Sequence, residues 1–360
     1  MKERLNIKEI IILAGTYISI CIGSGFATGQ EIMQFFSSHG MISIISSLIC
    51  MVLMSYCGAS LLVIGQKVKF KNSNDVFRYL CGKYIGILFE KFLPISFFLS
   101  FIVMISGAGA SINQYYGIEK MLGCTIVGVI TLASVLLGMD KIKNILGNIG
   151  PIIAILSISI GLITILRNTN NIGEIDKVVK SLNMNKAVDN WWMTSIVYTG
   201  LNMIIATTFL TGVGATIKNK KSCIYGGIIG GIVFMLAAII LNIAIMSDIN
   251  NLYTKEIPTL EMAINIGDIV GGMFSIILIA GIYTTAVPLL WSVGATFGRE
   301  KSKRFTIVVT LSTILGIILS KIPFSILVSI IYPISGTIGV VIIISILLIS
   351  IKNGIYKLIK

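Results

Sequence analysis

The sequence predicts an all-α integral membrane protein: ten transmembrane helices in a five-plus-five inverted repeat, with spans 1 and 6 discontinuous. Three observations predict it. Hydrophobic residues make up 55 % of the 360 residues, charged residues only 12 %, and the mean hydropathy is +0.95. Soluble domains carry about 25 % charged residues, so this chain has too little polar surface to coat a water-soluble globule. Second, residues 148–166, 222–247, 307–320 and 325–351 contain no Asp, Glu, Lys or Arg. With their flanks, most of these runs reach the roughly 20 residues that a helix needs to cross a bilayer. Third, one apolar run contains a glycine-rich polar patch, and a second such patch lies about half the chain away. A soluble enzyme, a disordered chain and a secreted disulfide scaffold are excluded by composition. The runs are continuous and not alternating, which argues against a β-barrel.

Apolar runs between charged or turn-rich breaks give spans at 9–37, 41–65, 84–116, 121–139, 142–166, 192–217, 222–247, 269–298, 304–321 and 324–351. The whole chain is read as one domain, with repeat 1 at about 9–166 and repeat 2 at about 192–351. The N-terminus is basic (Lys2, Arg4, Lys8), and its apolar run continues to Phe36 without a small-x-small cleavage site, so a retained first span is expected and not a signal peptide. With both termini cytoplasmic, 21 of the 28 Lys and Arg fall on the inside. That bias in short loops supports the orientation and the even span count. It also accounts for the net charge of +13 without a nucleic-acid partner, which would need basic residues on one solvated face with interleaved aromatics. The expected setting is a membrane that the chain crosses several times. The expected partners are the lipid bilayer and a small-molecule substrate, and the sequence names no protein partner.

Three connectors are long enough for short helices, and none is long enough to be a second domain. Residues 72–82 begin with cap-type residues and belong to the inner surface. Residues 168–190 and 248–268 lie outside, and Pro258 opens a helix in the second of them, a candidate lid at 256–267. The six cysteines form no CxxC and read as small apolar residues, and a single histidine, His39, excludes a histidine-rich metal site. Tyr115, Tyr116, Trp191 and Trp192 sit where interfacial anchors are expected. Gly226, Gly227, Gly230 and Gly231 are assigned to close helix packing.

The two polar patches carry the functional reading. Span 1 reads Gly23-Ser24-Gly25-Phe26-Ala27-Thr28-Gly29-Gln30-Glu31, and span 6 reads Tyr198-Thr199-Gly200-Leu201-Asn202. Five spans separate them, and an odd number inserts the second half upside down. Paired interruptions in halves of opposite topology point to a secondary-transporter site. In hydrocarbon an unpaired backbone group costs several kcal/mol, so unwound backbone survives only where it meets protein, water or a ligand. A break in span 1 frees N–H groups that suit a carboxylate and carbonyls, around Ser19 to Ile22, that suit a small cation. Glu31 is a rare intramembrane carboxylate, expected to serve as a gate or in proton coupling.

This pattern resembles the amino acid–polyamine–organocation superfamily with the LeuT fold. More narrowly, GSGFATGQEIMQFF at 23–36 is similar to the signature of bacterial YkvI-like membrane proteins. The resemblance implies a secondary active transporter of a small amino acid or related amine, working by alternating access in a bacterial inner membrane. It implies a substrate site at Gly23, Ser24, Gly25 and Thr28 of span 1 with Tyr198, Thr199, Gly200 and Asn202 of span 6. It implies Na⁺ as coupling ion, held by carbonyls of Ser19, Ile22 and Gly281 and by the hydroxyls of Thr284 and Thr285. Gly281, Thr284 and Thr285 follow the i, i+3, i+4 spacing that shares one helix face. From Asn148 to Leu166, span 5 has no lysine of the kind that replaces the ion in some proton-coupled relatives, which mildly favours sodium. No cofactor is expected. The membrane subunits of spore germinant receptors also resemble this architecture, so ligand sensing is the alternative. The chain has no HExxH, no GxSxG and no GxxxxGK[ST] loop, so neither an enzyme nor a primary pump is expected.

Overall fold

The structure is a computed structural model that describes residues 5–70, 72, 74–138 and 149–352. Every regular element among the described residues is helical. In chain order these are α1 (Ile7–Cys21), α2 (Ser24–Thr28), α3 (Gln30–Phe35), α4 (Ser43–Val68), α5 (Asp75–Tyr116), α6 (Lys120–Leu137), α7 (Ile149–Arg167), α8 (Ile175–Ser181), α9 (Trp191–Thr216), α10 (Lys220–Ser247), α11 (Ile249–Leu252), α12 (Pro258–Ile266), α13 (Asp268–Phe297), α14 (Lys303–Leu319) and α15 (Phe324–Lys352). Local chemistry starts several of them. The Asn6 side chain accepts the Glu9 N–H of α1, the Asn219 side chain accepts the N–H groups of Lys221 and Ser222 in α10, and Ser302 caps α14 by accepting from Phe305.

Seven of these helices, α4, α5, α6, α9, α10, α13 and α15, are long and apolar enough to cross a membrane. The other expected spans are helical too. Span 1 is divided into α1 to α3, span 5 is α7, and span 9 is the 17-residue α14. The first residues expected in span 5, 142–148, lie outside the described residues, as do the basic residues Lys2, Arg4, Lys71, Lys141, Lys143, Lys357 and Lys360. Outward stripes are apolar. On α14 Ile307, Leu311, Ile314 and Ile318 are exposed at helical spacing, as lipid contact requires. Inside, hydroxyls are satisfied by their own helix, as where Ser47, Thr131 and Thr207 donate to the carbonyl four residues back.

The helices pack in two groups. In one, α4 packs on α9 and α10, and α1 packs on α10; in the other, α5 packs on α6 and α13, and α14 packs on α6 and α13. The last helix, α15, bridges them through α9 and α5. The expected small-residue packing is present. Gly227 and Gly231 of α10 lie against the backbone at Ala59 and Ser55 of α4, while Gly226 and Gly230 lie against Leu13 and Tyr17 of α1. All six cysteines are free thiols and five are buried. The connectors at 168–190 and 248–268 carry short helices, with Pro258 opening α12, whereas 72–82 runs into α5 across a non-helical Gly82.

One expectation needs correction. Span 6 is a single unbroken helix, α9, through Tyr198, Thr199 and Gly200. Its polar groups stay within helical geometry, because Thr199 Oγ1 donates to the Ser195 carbonyl at 2.7 Å and Asn202 Nδ2 to the Tyr198 carbonyl at 3.0 Å. Gly200 is needed for a close crossing: a Cβ there would collide with the backbone of Gly336 and Gly339 in α15. The patch that reads as an interruption is a contact between small residues of two intact helices.

Candidate functional site

Along span 1 the helix is interrupted at two glycines. Gly23 is extended (φ −85°, ψ 179°) and separates α1 from α2, and Gly29 is left-handed (φ 77°, ψ −11°) and separates α2 from α3. A left-handed residue is cheap only for glycine. At the first break the Gly23 N–H turns to the Cys21 carbonyl, at 2.9 Å, so the Ser19 carbonyl loses the partner that an unbroken helix would give it.

The break opens into a cavity of about 350 Å³. Its wall includes Ser19, Ile22, Gly23, Gly25 and Glu31 from span 1, Asn202 from α9, and Gly281, Thr284 and Thr285 from α13. All five residues expected at the ion site therefore face one space. From the break the cavity runs along the second half of α9 to Phe209, along the second half of α13 to Ser292, and past Pro151 of α7. Ser19 and Phe209 are exposed, and Glu31 at the other end is buried.

The other expected substrate residues stand back from the wall. Thr28 donates to the Gly25 carbonyl at 2.8 Å within α2. Thr199 meets Cys50 Sγ and its own helix, and Gly200 faces α15. Tyr198 is fully buried among Phe35, Phe36 and Phe234, and its hydroxyl donates to Glu31 Oε1 at 2.7 Å. For Ser24, only its place as the first residue of α2 is described.

Glu31 thus folds back toward the break instead of toward the far surface. Glu31 Oε2 lies against Gly25, and so does the hydroxyl of Tyr332 from α15; a Cβ on Gly25 would strike both. Sequence reasoning missed Tyr332, because a lone tyrosine in an apolar run carries no sign of which face it occupies. On α13 both threonine hydroxyls donate to the Gly281 carbonyl, Thr284 at 2.9 Å and Thr285 at 3.0 Å. This points their hydrogens at one oxygen and leaves lone pairs on both hydroxyl oxygens, which a cation can use.

The opposite side is closed by α12 and its flanks. The Thr259 hydroxyl donates to the Ala27 carbonyl, and Thr259 and Pro258 pack on Gly29. Gln114, at the end of α5, donates to the Ile257 carbonyl and accepts the Ile257 N–H, both at 3.1 Å. Gln34 Nε2 donates to Ser325 at 2.7 Å, and Glu256 accepts the Phe324 N–H at 2.8 Å. Ion pairs Lys120–Glu256 and Lys255–Glu261 lie in the same layer. The tyrosines expected as interfacial anchors join it: Tyr115 donates to the Asp268 carbonyl, and Tyr116 shares a hydrogen bond with Ser275.

No protein-family model matches the chain. The chain is similar to the uncharacterised membrane protein YkvI of Bacillus subtilis (strain 168), at 24 % identity over 338 residues, 90 % of this chain and 91 % of that one. Among solved structures it is similar to MhsT in complex with L-phenylalanine, with TM-score 0.60 and 14 % identity, covering 91 % of this chain and 87 % of that one. It is also similar to the Eremococcus coleocola manganese transporter in complex with an aromatic bis-isothiourea compound, with TM-score 0.56 and 12 % identity over 94 % of this chain and 78 % of that one. The YkvI resemblance of residues 23–36 thus extends along nearly the whole chain, and the chain is a multi-pass membrane protein with the fold of LeuT-type transporters.

Proposed function

We propose that the chain is a Na⁺-coupled secondary transporter of a small amino acid or related amine, working by alternating access across a bacterial cell membrane. The observation that carries this reading is the cavity at the broken first span, which gathers freed backbone and the α13 hydroxyls on one wall. The helix grouping supports a five-plus-five repeat of ten crossings, because spans 1, 2, 6 and 7 form one group and spans 3, 4, 8 and 9 the other. With both termini cytoplasmic, the sealed layer at α12 is external and the cavity faces inward. Three carbonyls, of Ser19, Ile22 and Gly281, and two hydroxyls, of Thr284 and Thr285, make an all-oxygen donor set of the hardness that Na⁺ requires. An organic substrate is favoured over a transition metal, because among the described residues no three His, Cys, Asp or Glu side chains gather. Gly23 and Gly25 would contact the substrate from span 1 and Asn202 from span 6. The test is uptake of labelled amino acids and amines into proteoliposomes with imposed Na⁺ and proton gradients. Accumulation driven by the Na⁺ gradient is expected; accumulation indifferent to it removes the sodium assignment, and no uptake of any substrate removes the transporter.

A further inference from the structure

We propose that Glu31 is the receptor for a substrate ammonium group, so that the ligand is an organic amine with an apolar body, held by its cation and not by a carboxylate. The inference rests on reading this cavity as the substrate site and specifies what that site selects. Glu31 is 7 % exposed and stands at the closed end of the cavity. Its Oε1 is held by the Tyr198 hydroxyl, and its Oε2 lies at Gly25 beside the Tyr332 hydroxyl. Among the described residues no Lys, Arg or His lines the cavity, and none forms an ion pair with Glu31. A buried carboxylate with one neutral donor is poorly compensated, and a cation brought in by the ligand compensates it. A carboxylate on the ligand would meet the opposite situation. The place beside Gly25 where freed N–H groups could receive it already holds the Glu31 carboxylate, and like charges at that distance repel.

The rest of the wall sets the body of the ligand. Ile22, Phe97, Met104, Leu201 and Phe209 present apolar and aromatic surface around about 350 Å³, near the lower end of the roughly 300–1,000 Å³ usual for small-molecule sites. Tyr332, the lining aromatic that stands beside the Glu31 carboxylate, adds a ring to that end of the cavity, and rings attract an ammonium group through their quadrupole.

The test uses the purified full-length protein in detergent. Binding is measured calorimetrically for 2-phenylethylamine, L-phenylalanine and 3-phenylpropionate, and for isopentylamine, L-leucine and 4-methylpentanoate. Each series keeps the body and changes the charge. The expected result is binding of at least one amine, at an affinity no weaker than its amino acid, and no binding of the acids. Glu31→Gln should weaken amine binding by about tenfold or more, as loss of a charge-assisted contact does, and Glu31→Asp should restore part of it. Binding of either acid, amino acids tenfold tighter than their amines, no binding of either amine, or an unchanged affinity in folded, monodisperse Glu31→Gln would each overturn the proposal. The wild-type series decides even if the variant does not fold. Amine binding without uptake in proteoliposomes counts against the transporter reading alone. Amino-acid uptake that Glu31→Gln leaves intact counts against the role of Glu31 alone.

Discussion

Span 1 and span 6 lie about half the chain apart and both carry glycine beside hydroxyl and amide groups, yet only one of them is broken. In span 1 the chain leaves the helix at Gly23 and again at Gly29, and the carbonyls and side chains so released face a cavity. In span 6 a lone Gly200 sits in a run that hydrogen-bonds as a helix throughout, and the absent side chain admits the backbone of α15. Removing a Cβ therefore serves two opposite ends, permitting an unusual dihedral angle or permitting another helix to come close. Two glycines bracketing a five-residue piece produce the first, and one glycine facing two others produces the second.

Substitutions separate the two uses. The largest effect is expected at Gly25, where any side chain collides with Glu31 and Tyr332; Gly25→Leu should abolish ligand binding by calorimetry while the protein still elutes as a monodisperse peak, and retained binding would remove Gly25 from the site. Next, replacing both Thr284 and Thr285 by Val should raise the Na⁺ concentration for half-maximal uptake by about tenfold, about 1.4 kcal/mol; an unchanged sodium dependence would show that these hydroxyls only bond back to Gly281. Gly200→Ala should cost about 1–3 kcal/mol of stability by overpacking the α9–α15 crossing and leave affinity per folded molecule unchanged. A thermal melt paired with calorimetry reads both, and a changed affinity at wild-type stability would return span 6 to the binding site.

The smallest effect lies outside the spans, at Asp248 after α10. Burial raises its carboxyl above the ordinary aspartate range, against the opposing bond from the Asn251 amide. A raised folded value means that the neutral form favours folding. That contribution is complete below about pH 3.9, the unfolded value, and is lost as pH rises through the folded one. Asp248→Asn should therefore match the wild type in acid and melt slightly higher at neutral pH. Parallel melting profiles across that range would show that the burial carries no such cost.

Most of the architecture was legible, because a bilayer leaves helices few alternatives and the charge-free runs mark them. The broken span was legible because Gly23, Gly25 and Gly29 are too dense for a comfortable helix, and the α13 hydroxyls because their spacing fixes a shared face. The intact state of span 6 was not. Gly200 is explained only by Gly336 and Gly339, distant in sequence, and nothing at 198–202 names them. The pairing of Tyr198 and Tyr332 around Glu31 depends on how α9 and α15 are rotated, which packing decides and local sequence does not. The sealing role of Gln114 was hidden for the same reason, since its partner is the backbone of Ile257.

The bond from Thr259 to the Ala27 carbonyl ties the covering helix α12 to the little helix α2, whose other end forms the chamber wall at Gly25. Cover and wall are in that sense a single mechanical part. Lifting the cover to admit a molecule past it would tug the wall that greets it, so entry on that side and the shape of the chamber are linked by one hydroxyl.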